Sequence, residues 1–357
     1  MRRIIIVIAA STLSLASFAQ SGVQDAATMA AEAIVASPEV KKAEPKPVYW
    51  THSLLTQLNI VQTSFSNWAK GGIDNIAMTA YADGNSNYEK GNVTWKNRLQ
   101  LDYGLTYSDD KPIVQKTKDR ILFESTFGYK AAKNLSYSAS FTFLNQFSNG
   151  YVYGTPSKPD GAGDDWSPSK TDWKEARTLK SSMFAPANIT LGFGVEWVPS
   201  SLLTLNFAPL TGGLTIVGNE KLRLNYGMEL KDGHDESEII KDDKGLLVNG
   251  NIFRPVRFEF GAQLKATGKL KVNDNFEANS QLILFSNYLK NPQNIRVNWD
   301  NRFMWKLNKF FTLNLTTSLI YDDTVLITDD SHPDGRKIIQ FTEALQFGFT
   351  YTFTSKK

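Results

Sequence analysis

Charged side chains recur at alternate positions of several long segments of this chain, where apolar and aromatic residues separate them. Rings of charge that line water select ions in pores. Opposite charges that meet across neighbouring strands can instead pair and fill the space as a polar core. The sequence leaves both interpretations open. Under either interpretation these side chains would line the lumen, the space that the strands enclose. The candidate lumen-lining residues are Lys96, Arg98, Asp102, Arg120, Glu124, Arg257, Glu259, Lys265, Arg296, Asp300, Arg302 and Lys306.

Catalytic groups are sparse. The histidines His52, His234 and His332 are far apart in sequence, and His332 lies in a loop beside Ser331 and Asp334. A catalytic triad needs a base that a third group orients toward an activated nucleophile, and adjacency along a loop does not supply that geometry. No hydrolase, zinc-protease or phosphate-loop spacing occurs. We therefore predict that the protein is not an enzyme.

Metal and cofactor sites have little support either. The chain has no cysteine, which excludes disulfides and thiolate ligands. An acidic stretch holds Asp160, Asp164 and Asp165 near Trp166 and Trp173. Its carboxylates could bind calcium, and its aromatic rings could stack on sugars. The spacing fits no known calcium loop, so a solvated external loop is favoured, and we predict no metal and no cofactor.

The elements that would position the charged residues are long alternating segments. Within 93–107, Trp95 and Leu99 fall on one face while Lys96 and Arg98 fall on the other, which is the period of a β-strand. Strands of a soluble sandwich run roughly 5–6 residues, whereas these segments are long enough to cross a bilayer at a tilt. The alternating segments are 52–63, 73–88, 93–107, 117–130, 135–149, 187–198, 201–217, 254–270, 276–290, 295–307, 311–323 and 340–353.

The connections between these segments alternate in length. The longer ones are 64–72, 108–116, 150–186, 218–253 and 324–339, and 291–294 is a short exception. Tight turns at one end and long loops at the other are typical of an outer-membrane barrel, which must close because lipid offers no hydrogen bonds. The predicted fold is all-β: an antiparallel transmembrane β-barrel of about twelve strands with short periplasmic turns and long extracellular loops.

Two connections carry open alternatives. Residues 221–230 alternate enough for an extra hairpin arm or an inward-folded plug, whereas 231–244 read as charged surface, so 218–253 could also be a disordered loop. The connection 66–75, with Trp68, is predicted to be a tight turn on the long-loop side. A plug or partner contact is the alternative.

The N-terminus indicates export. Residues 1–19 combine two arginines, an apolar run and small residues before Gln20, as a cleavable signal peptide does. Residues 20–49 are rich in Ala, Lys, Glu and Pro and predict a flexible periplasmic tail. The barrel is assigned to 50–357. The formal net charge of +3 favours no polyanionic partner, and we expect no nucleic-acid binding.

Several segments resemble a family of known location. These are 63–72, 116–130, 145–153, 181–200, 207–213, 284–289, 297–310 and 320–323. Together they resemble a Bacteroidota family of outer-membrane β-barrels, catalogued as a domain of unknown function within the porin-like group. The resemblance implies the fold and a place in the bacterial outer membrane. It implies no catalytic residue and no substrate.

Two functions follow as hypotheses. The first is a narrow porin-like channel for small polar solutes, with a preference for anions because the predicted lumen has a basic excess. The second is a non-conducting structural or accessory subunit of an outer-membrane protein complex. The expected partners are outer-membrane lipid, the barrel-assembly machinery during insertion, and an outer-membrane protein if the second hypothesis holds.

Overall fold

A computed structural model describes residues 48–64, 73–322, 327–329 and 332–354. The predicted signal peptide, nearly all of the predicted tail and most of the 66–75 connection lie outside these residues. The side chain of His332 also lies outside the described part. Among the described residues, no helix is long and apolar enough to span a membrane.

The described chain is almost entirely β-structure with one short helix, α1 (Lys170–Glu175). The strands are β1 (Trp50–Thr63), β2 (Asn75–Lys90), β3 (Val93–Ser108), β4 (Lys111–Ala132), β5 (Leu135–Asn145), β6 (Gly150–Tyr153), β7 (Arg177–Ser181), β8 (Ala187–Ser200), β9 (Leu203–Ile216), β10 (Val256–Lys271), β11 (Phe276–Asn287), β12 (Ile295–Lys306), β13 (Phe311–Tyr321), β14 (Ile327–Asp329), β15 (His332–Arg336) and β16 (Gln340–Thr354).

Twelve of these strands form one closed barrel, in the order β1-β16-β13-β12-β11-β10-β9-β8-β5-β4-β3-β2. Every neighbouring pair is antiparallel, and β1 pairs with β16 to complete the ring. The remaining four strands form two separate two-stranded sheets, β6 with β7 and β14 with β15. The predicted all-β closed antiparallel barrel of about twelve strands is therefore confirmed.

The two ends of the barrel differ as the connection lengths predict. Short turns such as 91–92 and 133–134 join the strands at one end, the short-turn end, where β1 begins and β16 ends. The connections at the other end, the long-loop end, include 146–186 and 217–255.

One predicted long connection is wrong. Residues 108–116 form no loop, because β4 begins at Lys111 and Ser108 pairs with Lys111 across a two-residue turn. The extended hairpin supports the next connection instead: Ile113 is buried, and the Lys111 ammonium lies 5.9 Å from the ring centroid of Trp173 in α1. Alternation did not reveal this extension, because Ile113 and Val114 lie on opposite faces among polar residues and neither face is uniformly apolar.

Exposure along the strands is inverted relative to a soluble protein. In β3, Leu99 is 41% exposed while its neighbour Gln100 is 6% exposed. In β16, Phe349 is 46% exposed and Thr350 is 6% exposed. Apolar side chains thus cover the outside of the barrel, and polar side chains fill the inside.

Aromatic side chains gather on the outer wall near the short-turn end. Trp50 contacts the rings of Tyr88 and Trp95 at centroid distances of 5.2 and 5.9 Å. On the other side of the barrel, Phe276 and Trp305 approach to 4.6 Å. Such a girdle is typical of barrels that cross a membrane interface.

The connection 217–255, here called the cap loop, is compactly folded. It contains 3-10 turns at Glu220–Leu222, Glu236–Glu238 and Gly250–Ile252. This structure is neither the hairpin arm nor the disordered loop that the sequence left open, because its apolar residues cluster around turns rather than along a strand. The buried cluster comprises Ala185, Val217, Leu222, Met228, Leu246, Leu247, Ile252 and Phe253.

A buried arginine holds the cap loop together. The Arg223 guanidinium donates to the carbonyl oxygens of Val217, Gly250 and Phe253 at 3.1–3.2 Å. Arg223 is only 7% exposed, so these bonds link both ends of the loop in a site with little water. Tyr226 joins the loop to β7 by donating to the Lys180 carbonyl at 2.9 Å, and burial raises the pKa of its phenol.

We expect Arg223→Met to loosen the cap loop while the barrel stays closed. The change leaves buried carbonyl oxygens without donors, which lowers the free energy needed to open the loop by about 2 kcal/mol. Amide hydrogen exchange across 217–255 should then become roughly 30-fold faster. Arg254→Met is the matched control, because its bond to Asp232 is exposed and should change exchange little. Equal exchange in both variants would contradict a clamp at Arg223.

Candidate functional site

The twelve candidate residues all fall on inward-facing positions of four barrel strands. Lys96, Arg98 and Asp102 are on β3, Arg120 and Glu124 on β4, Arg257, Glu259 and Lys265 on β10, and Arg296, Asp300, Arg302 and Lys306 on β12. In barrel order, β4 and β12 are six strands apart in either direction, so they are opposite walls. The structure brings most of these side chains together near the middle of the lumen.

Arg120 and Asp300 connect the opposite walls directly. Arg120 Nη1 lies 4.0 Å from Asp300 Oδ2, and Arg120 Nε lies 3.5 Å from Asp102 Oδ2. An Arg120 Nη2 hydrogen bond to Gln100 Oε1 fixes the same guanidinium on the β3 side. The lumen is therefore bridged at this level by a single cation between two carboxylates.

Glu124 is a second bridge. Its carboxylate forms an ion pair with the Lys265 ammonium from β10, four strands away, and lies 3.9 Å from Arg98 Nη1. Arg98 in turn donates to both oxygens of Asp83, at 3.0 and 2.6 Å. A continuous chain of opposite charges thus runs from β2 across the lumen to β10.

Arg302 differs from the other central cations. It lies over the ring of Tyr81, 4.1 Å from the centroid, and donates to Gln57 Oε1. Among the described residues, no carboxylate oxygen lies within 4.0 Å of its guanidinium. The Tyr81 hydroxyl donates to Asp83 at 2.9 Å, which places the ring between Arg302 and the Arg98 pair. Arg302 is therefore the positive group of the central lumen that protein carboxylates leave least neutralised.

Charge also gathers where the lumen meets the long-loop end. Arg296 Nη2 lies 2.8 Å from Glu259 Oε2, and Arg257 Nε lies 3.8 Å from Glu259 Oε1. Arg257 Nη1 donates to the carbonyl of Tyr226 at 3.0 Å. The cap loop is thereby bonded to the inner wall.

Two further lumen lysines behave differently from each other. Lys96 pairs with Glu196 on β8 at 2.6 Å. Lys306, near the short-turn end, forms no ion pair with any described residue. The lumen charges are thus mostly paired in its middle and at its mouth, and among the described residues Arg302 in the middle and Lys306 toward the short turns are without an ion pair.

Tyr81 and Asp83 are central residues that the sequence did not reveal. Both lie on β2, where the outward neighbours Ala80, Ala82 and Gly84 are small, so the middle of the strand shows little contrast between an apolar and a polar face, although Ile76 and Met78 are exposed outward nearer the long-loop end. A stronger signal was available elsewhere. The tetrapeptide W-x-N-R occurs twice, at 95–98 and 299–302; its second arginine, Arg302, lies over the Tyr81 ring, and its first, Arg98, pairs with Asp83, which also accepts from the Tyr81 hydroxyl.

Each copy of this tetrapeptide also builds a polar contact on the outer wall. The Trp95 indole donates to the Ser125 hydroxyl at 2.8 Å, and the Trp299 indole donates to Ser280 at 2.9 Å. Each serine then donates to the asparagine of its tetrapeptide, Asn97 or Asn301. The outward amides are therefore bonded within the wall, where an unpaired one would be costly in an apolar solvent.

The lumen charges retain contact with solvent. The side chains of Arg98, Arg120 and Asp300 are 33%, 34% and 36% exposed. Two buried amide oxygens, Asn298 Oδ1 and Asn314 Oδ1, have no hydrogen-bond partner within the described residues. A dry core would leave such atoms at a cost of about 1–3 kcal/mol each, whereas water in a lumen can satisfy them.

Within the described part of the chain, which leaves out the side chain of His332, the structure assembles no metal site and no triad around His234. Among the described residues, no three metal-binding side chains cluster. Asp164 pairs with Lys158 at 3.3 Å, and Trp173 is buried, so that ring is unavailable for stacking on a sugar. His234 contacts Glu238 at 2.8 Å on the exposed surface of the cap loop, with no nucleophile bonded to it.

Comparisons with known proteins bear on fold more than on activity. A family model described as "Protein of unknown function (DUF3078)" matches residues 60–151, which span β1 to β6. Among curated proteins, none matches this chain. The translocator domain of the autotransporter NalP from Neisseria meningitidis is similar in structure, at 10% identity over 92% of this chain and 96% of that chain, with a TM-score of 0.38.

Two further solved structures are similar. An outer membrane channel from Pseudomonas putida F1 shares 9% identity over 89% of this chain and 100% of its own, with a TM-score of 0.34. The NanC porin shares 8% identity over 85% of this chain and 99% of its own, with a TM-score of 0.33.

We expect Glu124→Gln to destabilise the barrel, because it leaves Lys265 and Arg98 without their shared carboxylate. The free energy of unfolding should fall by about 2 kcal/mol. This is less than for a dry pair, since the two cations are 23% and 33% exposed. Urea unfolding of the protein in lipid vesicles measures the change. Glu89→Gln is the control, because its pair with Lys130 is exposed and contributes little. An equal effect of both substitutions would refute a bridging role for Glu124.

Proposed function

We propose that this protein is a β-barrel of the bacterial outer membrane, exported with removal of residues 1–19. The support is the inverted exposure of the barrel wall. Trp95 and Tyr103, both outward on β3, are eight residues apart, which at a rise of about 3.3 Å and a tilt of about 40° is roughly 20 Å of barrel height. That height is close to the apolar band of about 25 Å that such barrels present to lipid.

We propose further that the barrel is a narrow channel for small polar solutes, constricted by ion pairs between opposite walls. The observation that carries this proposal is the solvent contact of the bridging charges Arg120 and Asp300, whose side chains are 34% and 36% exposed. A bridge of hydrated, partly exposed ion pairs is weak. A passing ion can therefore exchange with its members at small cost.

Anions are the favoured solutes. Arg302 binds a neutral amide and a ring instead of a carboxylate, so a negative solute gains a partner there without displacing a protein charge. Charged side chains lining a constriction set the selectivity of a pore in this way. Lys306, toward the short-turn end, extends the positive character beyond the constriction.

A non-conducting barrel that serves as a structural or accessory subunit is the second candidate. The pair of Glu124 with Lys265 and the contact of Arg120 with Asp300 favour it, because both bridge the lumen. In that case the charges act as a polar core that holds the walls together.

Single-channel recording in a planar bilayer distinguishes the two candidates. The wild-type protein should show small, steady steps with anion preference in a salt gradient. Asp300→Ala removes one side of the bridge and should raise the conductance roughly twofold. Arg302→Ala should lower the anion preference without the same rise in conductance.

Lys130→Ala is the matched control, since Lys130 pairs with Glu89 at an exposed position by the short-turn end. It should leave both conductance and selectivity unchanged. A silent bilayer, with insertion verified by protection from protease, would reject the channel and favour the accessory barrel.

The remaining expectations belong to the same proposal. The protein has no enzymatic role and no cofactor, and its partners are outer-membrane lipid and the machinery that inserts barrels. The proposal also places the chain in the Bacteroidota family that its motifs resemble, because that family has the same location. An outer-membrane protein partner is expected only if the accessory role holds.

A further inference from the structure

A four-residue turn at the long-loop end presents two large apolar side chains outward. Residues 182–185, here called the rim turn, lie in the connection from β7 to β8, which ends with Pro186. Met183 is 52% exposed and Phe184 is 43% exposed. Phe184 has a φ of 56°, in the left-handed region that bulky side chains rarely adopt. The turn therefore holds its apolar tip in place against an intrinsic backbone preference.

Hydrogen bonds fix this unfavourable conformation from several sides. Ser182 and Ala185 exchange backbone bonds at 3.0 and 2.8 Å, and the Gln146 amide donates to both of their carbonyl oxygens. The amide of Gly218 donates to the Phe184 carbonyl at 2.7 Å. Hydrogen bonds thus hold the backbone that carries Met183 and Phe184 in one conformation.

The rim turn lies on the outer side of the barrel. Asn145, the last residue of β5, has the outward register of Phe141 and Phe143, yet it is only 5% exposed. Its side-chain oxygen accepts the Phe184 amide at 3.0 Å. An outward amide that bonds to Phe184 places this residue on the outer side of the strand end, while Ala185 packs into the buried cluster of the cap loop.

The apolar outer wall continues directly below this turn. Ala187 pairs with Ile216, and Ile216 pairs with Val256, which together form the top outward row of β8, β9 and β10. The next row down includes Leu214 and Phe258, which are 37% and 59% exposed. Met183 and Phe184 therefore extend the same apolar surface past the ends of the strands.

We propose that the rim turn is a lipid-binding anchor that inserts Met183 and Phe184 into the outer leaflet, at the boundary between head groups and acyl chains. The inference rests on the proposed outer-membrane location. Aromatic and long apolar side chains favour this boundary. The free energy gained by inserting them there can offset the cost of the left-handed backbone at Phe184, which contact with water would not do. The anchor would fix the depth of β8, β9 and β10, which carry the cap loop and Arg257.

The absence of cysteine makes the test direct. Single substitutions Phe184→Cys and Met183→Cys each give one site for a bimane label in the full-length protein, reconstituted in phosphatidylcholine vesicles with or without brominated acyl chains. Leu214→Cys is the control within the apolar wall. Val248→Cys, 65% exposed on the cap loop, is the control for water. Heat-modifiable migration on gels verifies that each variant is folded.

Bromine should quench the labels at 183 and 184 to within a factor of about two of the label at 214, and leave the label at 248 unaffected. Labels at 183 and 184 that behave like 248 while 214 is quenched would overturn the anchor and leave the membrane location intact. Absence of quenching at 214 as well would instead reject the proposed membrane location. The Met183 variant keeps the test valid if Phe184→Cys does not fold.

Discussion

Every backbone amide and carbonyl in the barrel wall needs a partner on a neighbouring strand, and the pairing of β1 with β16 meets this need all the way round. An apolar solvent cannot satisfy an open strand edge, so closure is the condition for placing a sheet there. Closure also encloses a space that the outside solvent does not reach. The two faces of each strand then meet different media, which explains why Leu99 and Gln100 are adjacent in sequence and opposite in exposure.

The enclosed lumen allows charged side chains to remain ionised on the inner face of the barrel. A carboxylate such as Glu124 could not stay ionised alone in a dry interior, and here it has Lys265 and Arg98 around it as well as some solvent. The pairs that span the lumen come from strands distant in the ring, so they add restraints that neighbouring strands do not provide. The same contacts narrow the lumen. The stability of the wall and the width of the lumen therefore depend on one group of side chains.

The sequence predicts the barrel well because a large apolar residue occupies most outward positions of strands such as β3. The sequence is less informative where outward and inward residues no longer differ in polarity. The first residues of β4 mix polar and apolar groups on both faces because they contact a loop, and the outward positions in the middle of β2 are the small residues Ala80, Ala82 and Gly84. The candidate lumen residues follow from alternation, but their pairing does not. Contacts such as Lys265 with Glu124 depend on the ring order and register of the whole sheet, which no local pattern contains.

The repeated W-x-N-R tetrapeptide shows how the two faces of a strand depend on each other. Alternation places Trp95 and Asn97 on the outer wall and Arg98 on the inner wall, and the second copy does the same with Trp299, Asn301 and Arg302. The bonds of tryptophan and asparagine to serines of the next strand fix local register. Register in turn fixes where Arg302 meets the Tyr81 ring and where Arg98 meets Asp83, because a shift of one residue would turn each arginine outward. Polar contacts on the outer wall thus help to fix the positions of side chains in the lumen.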